Sequence, residues 1–213
     1  MKILPLNPGT LKEAVSVLKQ GGVVAHPTDT CFGLAGDLMN PEALKKIQAI
    51  KGRDGGKPMS VMISVLEQLK MKRYAKLDEF SSFVTLKLLP GAVTILLPKG
   101  PTIPAHYFPE TPLVGLRVPL HDLTQDLLRA FGGPLITTSA NRSGEPLCFT
   151  HEEAEAAFRK QTHQPDLIIE GVVNSRKSAS TVLSVEKDHV RILRPGPITA
   201  SQLEIILGVP VKE

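Results

Sequence analysis

Between a helix-forming run and an apolar run the chain reads Lys51-Gly52-Arg53-Asp54-Gly55-Gly56-Lys57-Pro58. Gly52, Gly55 and Gly56 forbid a stable helix across this stretch and leave backbone N–H groups accessible. Pro58 closes it, and Val61-Met62-Ile63 follows at once. The segment must therefore carry the chain from a helix into a buried strand. Three cations, Lys51, Arg53 and Lys57, fall among the glycines rather than among helix formers. A cationic, glycine-rich loop beside a core strand is suited to holding a phosphate chain. Taken alone, it also reads as a charged surface turn.

The rest of the chain alternates short apolar runs with capped amphipathic ones, the pattern of an α/β domain. Ile3 to Leu6 reads as an edge strand. Thr10 is placed to cap a helix through Leu11, Ala14, Val15 and Leu18, ending at Gly21. Val23-Val24-Ala25 is a buried strand that stops at His26-Pro27, where Thr28, Asp29 and Thr30 cluster. Asn40 and Pro41 open the helix that leads to Lys51. Ser64 caps a short helix to Met71, and Asp78 begins another ending near Leu88. Val93 to Leu97 is a strand, followed by the proline-rich stretch 98–112, expected to be a lid or rim.

Leu113 to Pro119 sets Arg117 inside an apolar strand, where a charge must find a partner or an anionic ligand. Asp122 and Gln125 are spaced as a capping box for the next helix. Leu135-Ile136 opens onto Thr137-Thr138-Ser139-Ala140-Asn141, a second hydroxyl and amide cluster at a strand end. Ligands commonly bind at such ends in α/β sheets. Thr150 and Glu153 cap a helix to Phe158, and Leu167 to Glu170 is a strand. A polar loop with Arg176 and Lys177 precedes the strand from Ser180 to Val185. Val190 to Leu193 pairs with that strand as a hairpin and ends in Arg194-Pro195-Gly196-Pro197. Thr199 and Gln202 form a last capping box.

At 213 residues the chain is long enough for one large domain with a substantial core. Tryptophan is absent and aromatics make up 4%, which disfavours stacking of single-stranded nucleic acid on aromatic platforms. A net charge of +4 permits an anionic ligand or RNA without requiring either. Cys31 and Cys148 are too few for a disulfide framework. The histidines form no spaced ligand set with them, so no protein-bound metal is expected. The N-terminus carries no signal pattern and no apolar run approaches a membrane span, so a cytoplasmic location is expected and a membrane is not.

In order along the chain, these landmarks resemble the YrdC family. The residues carrying the resemblance are Pro27-Thr28-Asp29-Thr30 with Gly33-Leu34, Lys51-Gly52-Arg53 with Lys57-Pro58, and Pro90-Gly91 with Thr94. Arg117 with Pro119, Ser139-Ala140-Asn141 with Ser143-Gly144, Ser180-Thr181 and Arg194-Pro195-Gly196 complete the set. The resemblance covers nearly the whole chain. It implies a twisted mixed α/β sheet flanked by helices around a positively charged concave cleft, with residues 1–213 as the short, single-domain form.

The resemblance also implies the chemistry. L-threonine, bicarbonate or carbon dioxide, and ATP (as its Mg complex) become threonylcarbamoyl-adenylate and pyrophosphate. This is the first step toward threonylcarbamoyladenosine in tRNA, the product passing to a downstream threonylcarbamoyl transferase complex. Lys51 and Arg53 are implied as catalytic. ATP is implied near Arg53, Lys57, Leu113, Ser139, Leu147 and Arg194. Threonine is implied near Thr30, Met62, Arg117, Thr137 and Ser180, with Arg117 as the carboxylate clamp. Met62 departs from the longer members, which carry histidine there; a thioether cannot replace its hydrogen bonds. The longer members also have a second, C-terminal domain, so closure over the cleft is expected from the 98–112 loop.

Two other readings stay open. One is a related carbamoyl-adenylate-forming enzyme, like the YrdC-like module of hydrogenase maturation proteins. The other is a module that binds structured RNA, tRNA or double-stranded, without catalysis.

Overall fold

Alternation along the strands decides the architecture, because successive side chains point to opposite faces of a sheet. The computed structural model describes residues 1–52, 58–173 and 178–213. The first half runs β1 (Lys2–Leu4), α1 (Pro8–Lys19), β2 (Val24–His26), β3 (Gly33–Asp37), α2 (Pro41–Lys51) and β4 (Ser60–Met62). It continues through α3 (Val65–Gln68), α4 (Glu79–Leu88), β5 (Val93–Pro98) and β6 (Leu113–Arg117). The second half comprises α5 (Asp122–Phe131), β7 (Leu135–Ser139), α6 (His151–Phe158) and β8 (Leu167–Ile169). It ends with β9 (Thr181–Val185), β10 (Val190–Arg194), α7 (Ala200–Leu207) and β11 (Val211–Lys212).

The strands form one twisted, mixed sheet in the order β1-β8-β2-β3-β7-β4-β6-β5-β9-β10-β11. Val24, Ala35, Met62, Leu135, Leu167 and Ile169 face one side, packed with Ala14 and Leu18 of α1 and Leu123 and Leu127 of α5. Their neighbours Ala25, Leu34, Val61, Ile136 and Ile168 belong to the other side, with Leu44, Ile47 and Ile50 of α2, Val84 of α4 and Phe158 of α6. Each fully buried Leu or Ile contributes about 1.5–3 kcal/mol, so the two layers dominate the stability. Gly36 lets α2 press onto the sheet: a Cβ there would lie 2.9 Å from the Ile47 side chain and 3.2 Å from Ala43.

The helix starts follow their caps, with two exceptions. Asn7 rather than Thr10 caps α1, accepting from the N–H of Gly9 and Thr10. The Thr10 hydroxyl instead donates to the Pro5 carbonyl at 2.6 Å. Asp122 and Gln125 do not form a capping box, because His121 is the cap of α5. Gln125 is buried, and its amide accepts from Val65 N–H at 2.9 Å and donates to Pro119 O at 2.8 Å. The caps at Asn40, Ser64, Asp78, Thr150 and Thr199 stand where the residue types put them.

The 98–112 stretch is fastened at several points. Tyr107 is fully buried and its hydroxyl donates to the Met59 carbonyl, just before β4. Lys99 Nζ donates to the carbonyls of Tyr107 at 2.7 Å and Phe108 at 2.9 Å. This stretch walls a cavity of about 450 Å³ against Pro41, Leu44 and Gln48 of α2. No helix among the described residues is long and apolar enough to cross a membrane.

Candidate active site

Strand β2 ends at His26, and the turn that follows is built on one hydroxyl. Thr28 Oγ1 donates to the Cys31 carbonyl at 2.6 Å and accepts from the N–H of Thr30 at 3.1 Å and of Cys31 at 3.3 Å. Such a Thr-centred turn fixes the residues it encloses. Those residues are Asp29 and Thr30, and both meet Arg117 from the end of β6. Arg117 Nη2 donates to Asp29 Oδ1 and to Thr30 Oγ1, the latter at 2.7 Å.

Lys51 is the last residue of α2, not part of a loop as the glycine-rich pattern suggested. Gly52 follows as its left-handed cap at φ 62°, a conformation that favours glycine. The Lys51 side chain turns inward and is 1% exposed. Its ammonium donates to the Ser139 carbonyl and to Asn141 Oδ1, each at 2.7 Å. Helix α2 thus clamps the end of β7. The Ser143 N–H closes the clamp by donating to the Lys51 carbonyl at 3.0 Å.

A third cation arrives from β10. The forked guanidinium of Arg194 donates to the Ser180 carbonyl from Nη2 at 2.7 Å and Nε at 3.2 Å. The Ser180 hydroxyl lies 2.9 Å from that of Thr94. Around these groups is a cavity of about 200 Å³ lined by Thr28, Cys31, Ser60, Arg117, Thr137, Ser139, Ser180 and Arg194, among others. Register explains the grouping: Gly33 pairs with Ser139, and Ser60 with Thr137, so adjacent strands deliver adjacent lining residues. Burial pushes the Cys31 thiol up, while Arg117, Arg194 and Lys51 pull it the other way, so all three cations act on this one spot.

Of the residues singled out from the sequence, Arg117, Thr137, Ser139, Ser180 and Arg194 line this cavity. Thr30 joins through Arg117, and Lys51 through Ser139. Met62 does not line it: the side chain is fully buried in the apolar layer with Leu123 and Leu127. Leu113, 36% exposed at the start of β6, is also outside its lining. Leu147 lines a separate cavity of about 580 Å³ with Arg142, Glu145 and Gln161. Arg53 and Lys57 lie outside the described residues, as do Arg176 and Lys177. Other participants had been given no site role from the sequence, Ser60, Asn141 and Asp29 among them. Ser60 opens a strand with no polar pattern around it. Asn141 and Asp29 sit in the polar clusters, but their partners are distant in sequence.

Among the described residues no group of three or more His, Cys, Asp or Glu side chains could hold a metal ion. The arrangement offers cations and hydroxyls to a small anionic ligand.

A family model, Sua5/YciO/YrdC, described as telomere recombination, matches residues 16–196. The chain belongs to this family. A Sua5/YciO/YrdC relative from Bacillus subtilis, named threonylcarbamoyl-AMP synthase, is 33% identical over 96% of this chain and 58% of its own length. The chain thus spans little more than half of that relative. A Methanocaldococcus jannaschii protein named putative threonylcarbamoyl-AMP synthase is 30% identical over 95% of both chains. The crystal structure of P. abyssi Sua5 complexed with L-threonine superposes with a TM-score of 0.88 at 26% identity. It covers 99% of this chain and 62% of that one.

Proposed function

We propose that residues 1–213 act as one catalytic unit that makes L-threonylcarbamoyladenylate and pyrophosphate from L-threonine, bicarbonate or carbon dioxide, and ATP. The observation that carries this reading is convergence. Arg117 and Arg194 line one small cavity with Thr137, Ser139 and Ser180. Arg117 holds the Thr30 hydroxyl, Arg194 that of Ser180, and Lys51 holds the Ser139 carbonyl from behind. The name of the B. subtilis relative and the L-threonine bound to P. abyssi Sua5 support it.

The chemistry explains why such a site suffices. The threonine amine forms an N–C bond to carbon dioxide and loses a proton, giving a carbamate. A carbamate oxygen then attacks the α-phosphorus, and the bond to pyrophosphate breaks. Two anions must be brought together and a third leaves, so cations belong where charge develops. Positioning carries much of the rate, and no covalent intermediate on the protein is needed.

In this account Arg117 takes the threonine carboxylate, with Thr30, Thr137 and Ser180 around the side chain. Lys51, Ser139 and Arg194 face the phosphates, together with Arg53 and Lys57. ATP enters as its Mg complex, with the nucleoside toward Leu113 and the cavity beside Leu147. The adenylate passes to a threonylcarbamoyl transferase that modifies tRNA, in the cytoplasm. Contact with RNA is electrostatic and dispensable for adenylate formation, in line with the modest charge of +4. Release of pyrophosphate from ATP that requires both threonine and bicarbonate tests the reading; ATP turnover indifferent to threonine contradicts it.

A further inference from the structure

The contact between Asp29 and Arg117 is more constrained than charge pairing alone requires. Both side chains are 9% exposed. Asp29 Oδ1 accepts from Arg117 Nη2, while Oδ2 accepts from the Leu120 N–H at 3.2 Å. The carboxylate is therefore held at both oxygens, one by the strand-end cation and one by the backbone leading into α5. Thr30 Oγ1 engages the same Nη2 at 2.7 Å.

These contacts use one nitrogen of the guanidinium. Arg117 Nε is buried and has no hydrogen-bond partner among the described residues, although Arg117 lines the cavity. Buried donors are almost always satisfied, so one without a protein partner beside a cavity points to a ligand. The guanidinium is planar and its donors form a rigid fork, so fixing Nη2 also fixes where Nε aims.

We infer that Asp29 is a positioning residue for carboxylate recognition: by holding Nη2 it aims the rest of the Arg117 guanidinium at the carboxylate of the amino-acid substrate. This rests on the amino-acid substrate proposed above, and it gives Asp29 no contact with reacting atoms. Ordering a long arginine before the substrate arrives removes an entropic cost from binding. Asparagine at position 29 keeps the size but presents one oxygen and one amide group. Since Arg117 and Leu120 address different oxygens, Asp29→Asn leaves one of them facing a donor.

The test is steady-state kinetics on wild type, Asp29→Asn and Asp29→Glu. L-threonine serves as substrate, and L-threoninol, which lacks the carboxylate, as competitor. For Asp29→Asn the KM for threonine is expected to rise about 10- to 100-fold, the scale of a misplaced binding group. The kcat and the inhibition constant for threoninol are expected to stay near wild type. Asp29→Glu, which restores the charge one methylene further out, is expected to fall between the two. If Asp29→Asn does not fold, by thermal melting, Asp29→Glu carries the test, with a raised threonine KM beside an unchanged threoninol constant. Equal losses for threonine and threoninol, a drop in kcat alone, or wild-type threonine KM in the folded variants would overturn the inference. Normal threonine turnover by wild type in those cases leaves the proposed function standing. If wild type itself shows no threonine-dependent turnover, both fall.

Discussion

Lys51 and Asn141 lie ninety positions apart in the chain, yet the ammonium of one donates to the amide oxygen of the other at 2.7 Å. The amide is oriented by its other end, since Asn141 Nδ2 donates to the Glu145 carbonyl at 2.5 Å. Ser139 Oγ, 2.7 Å from the same Oδ1, completes the cluster. A lysine ordinarily keeps its ammonium in water. Here the end of α2 delivers it, 1% exposed, to the end of β7. The cost of that burial is offset by hydrogen bonds, and the charge is held in place before any ligand binds.

Lys51→Ala is therefore expected to lower threonine-dependent pyrophosphate release about 100- to 1000-fold, the loss typical of one donor to developing phosphate charge. Asn141→Ala is expected to lower it about tenfold, because Ser139 still holds the ammonium. The double variant is expected to be little worse than Lys51→Ala, since both changes act on one group. Additive losses would place Asn141 in a role of its own.

Stability should depend on His26 at acidic pH. The ring is fully buried, Nδ1 donates to the Pro27 carbonyl at 3.0 Å, and Nε2 has no partner among the described residues. Burial holds its pKa down at about 4, against 6.5 when free. Between those values the unfolded chain takes up a proton and the folded one does not, so stability rises with pH across that window. The contribution is complete above about pH 6.5 and is lost toward pH 4, on the order of 3 kcal/mol. Denaturant melts at pH 7 and pH 4.5 check this. The difference between them is expected to shrink in His26→Leu, whatever that variant's stability at pH 7, and an unchanged difference would contradict the account.

Substrate choice should follow the hydroxyls. Serine loses only a methyl group, worth roughly 1–3 kcal/mol in an apolar niche. Valine keeps the shape but leaves hydrogen-bonding groups unpaired, and a site built to bind a hydroxyl rejects such analogues by as much as about 10⁴-fold. The expected order of kcat/KM, with ATP and bicarbonate saturating, is threonine, then serine, then valine. Valine equal to serine would mean that Thr30, Thr137 and Ser180 do not read the side chain.

Local chemistry made much of this legible in the sequence. Asn40-Pro41 started α2, and the continuous apolar runs Val23-Val24-Ala25 and Val61-Met62-Ile63 read as buried strands, as a sheet covered on both faces requires. The misses have physical causes. Asn7 and Thr10 are both competent caps, and only the tertiary reach of the Thr10 hydroxyl to Pro5 decides between them. Gln125 has the spacing of a capping box, but burial recruits its amide to Val65 and Pro119. Two-residue β11 lies parallel to β10 and is too short to carry a period. Ser60 and Met62 share one face of β4, and position along the strand separates them: Ser60 lies at the cavity end beside Thr137, Met62 two residues further on beside Leu135 in the apolar layer. Pairings such as Lys51 with Asn141 depend on strand order, which no local pattern encodes.

The central claim is that threonine, a one-carbon unit and AMP are joined at the cavity lined by Arg117 and Arg194 and backed by Lys51. Incubation with ATP, L-threonine and ¹³C-bicarbonate, followed by mass spectrometry of the nucleotides, tests it most directly. The account predicts an adenylate that carries both threonine and the ¹³C label, forms in step with pyrophosphate, is absent without threonine, and forms about 100- to 1000-fold more slowly with Lys51→Ala. ATP consumed without such a product, or a labelled adenylate formed equally well without threonine, would contradict it.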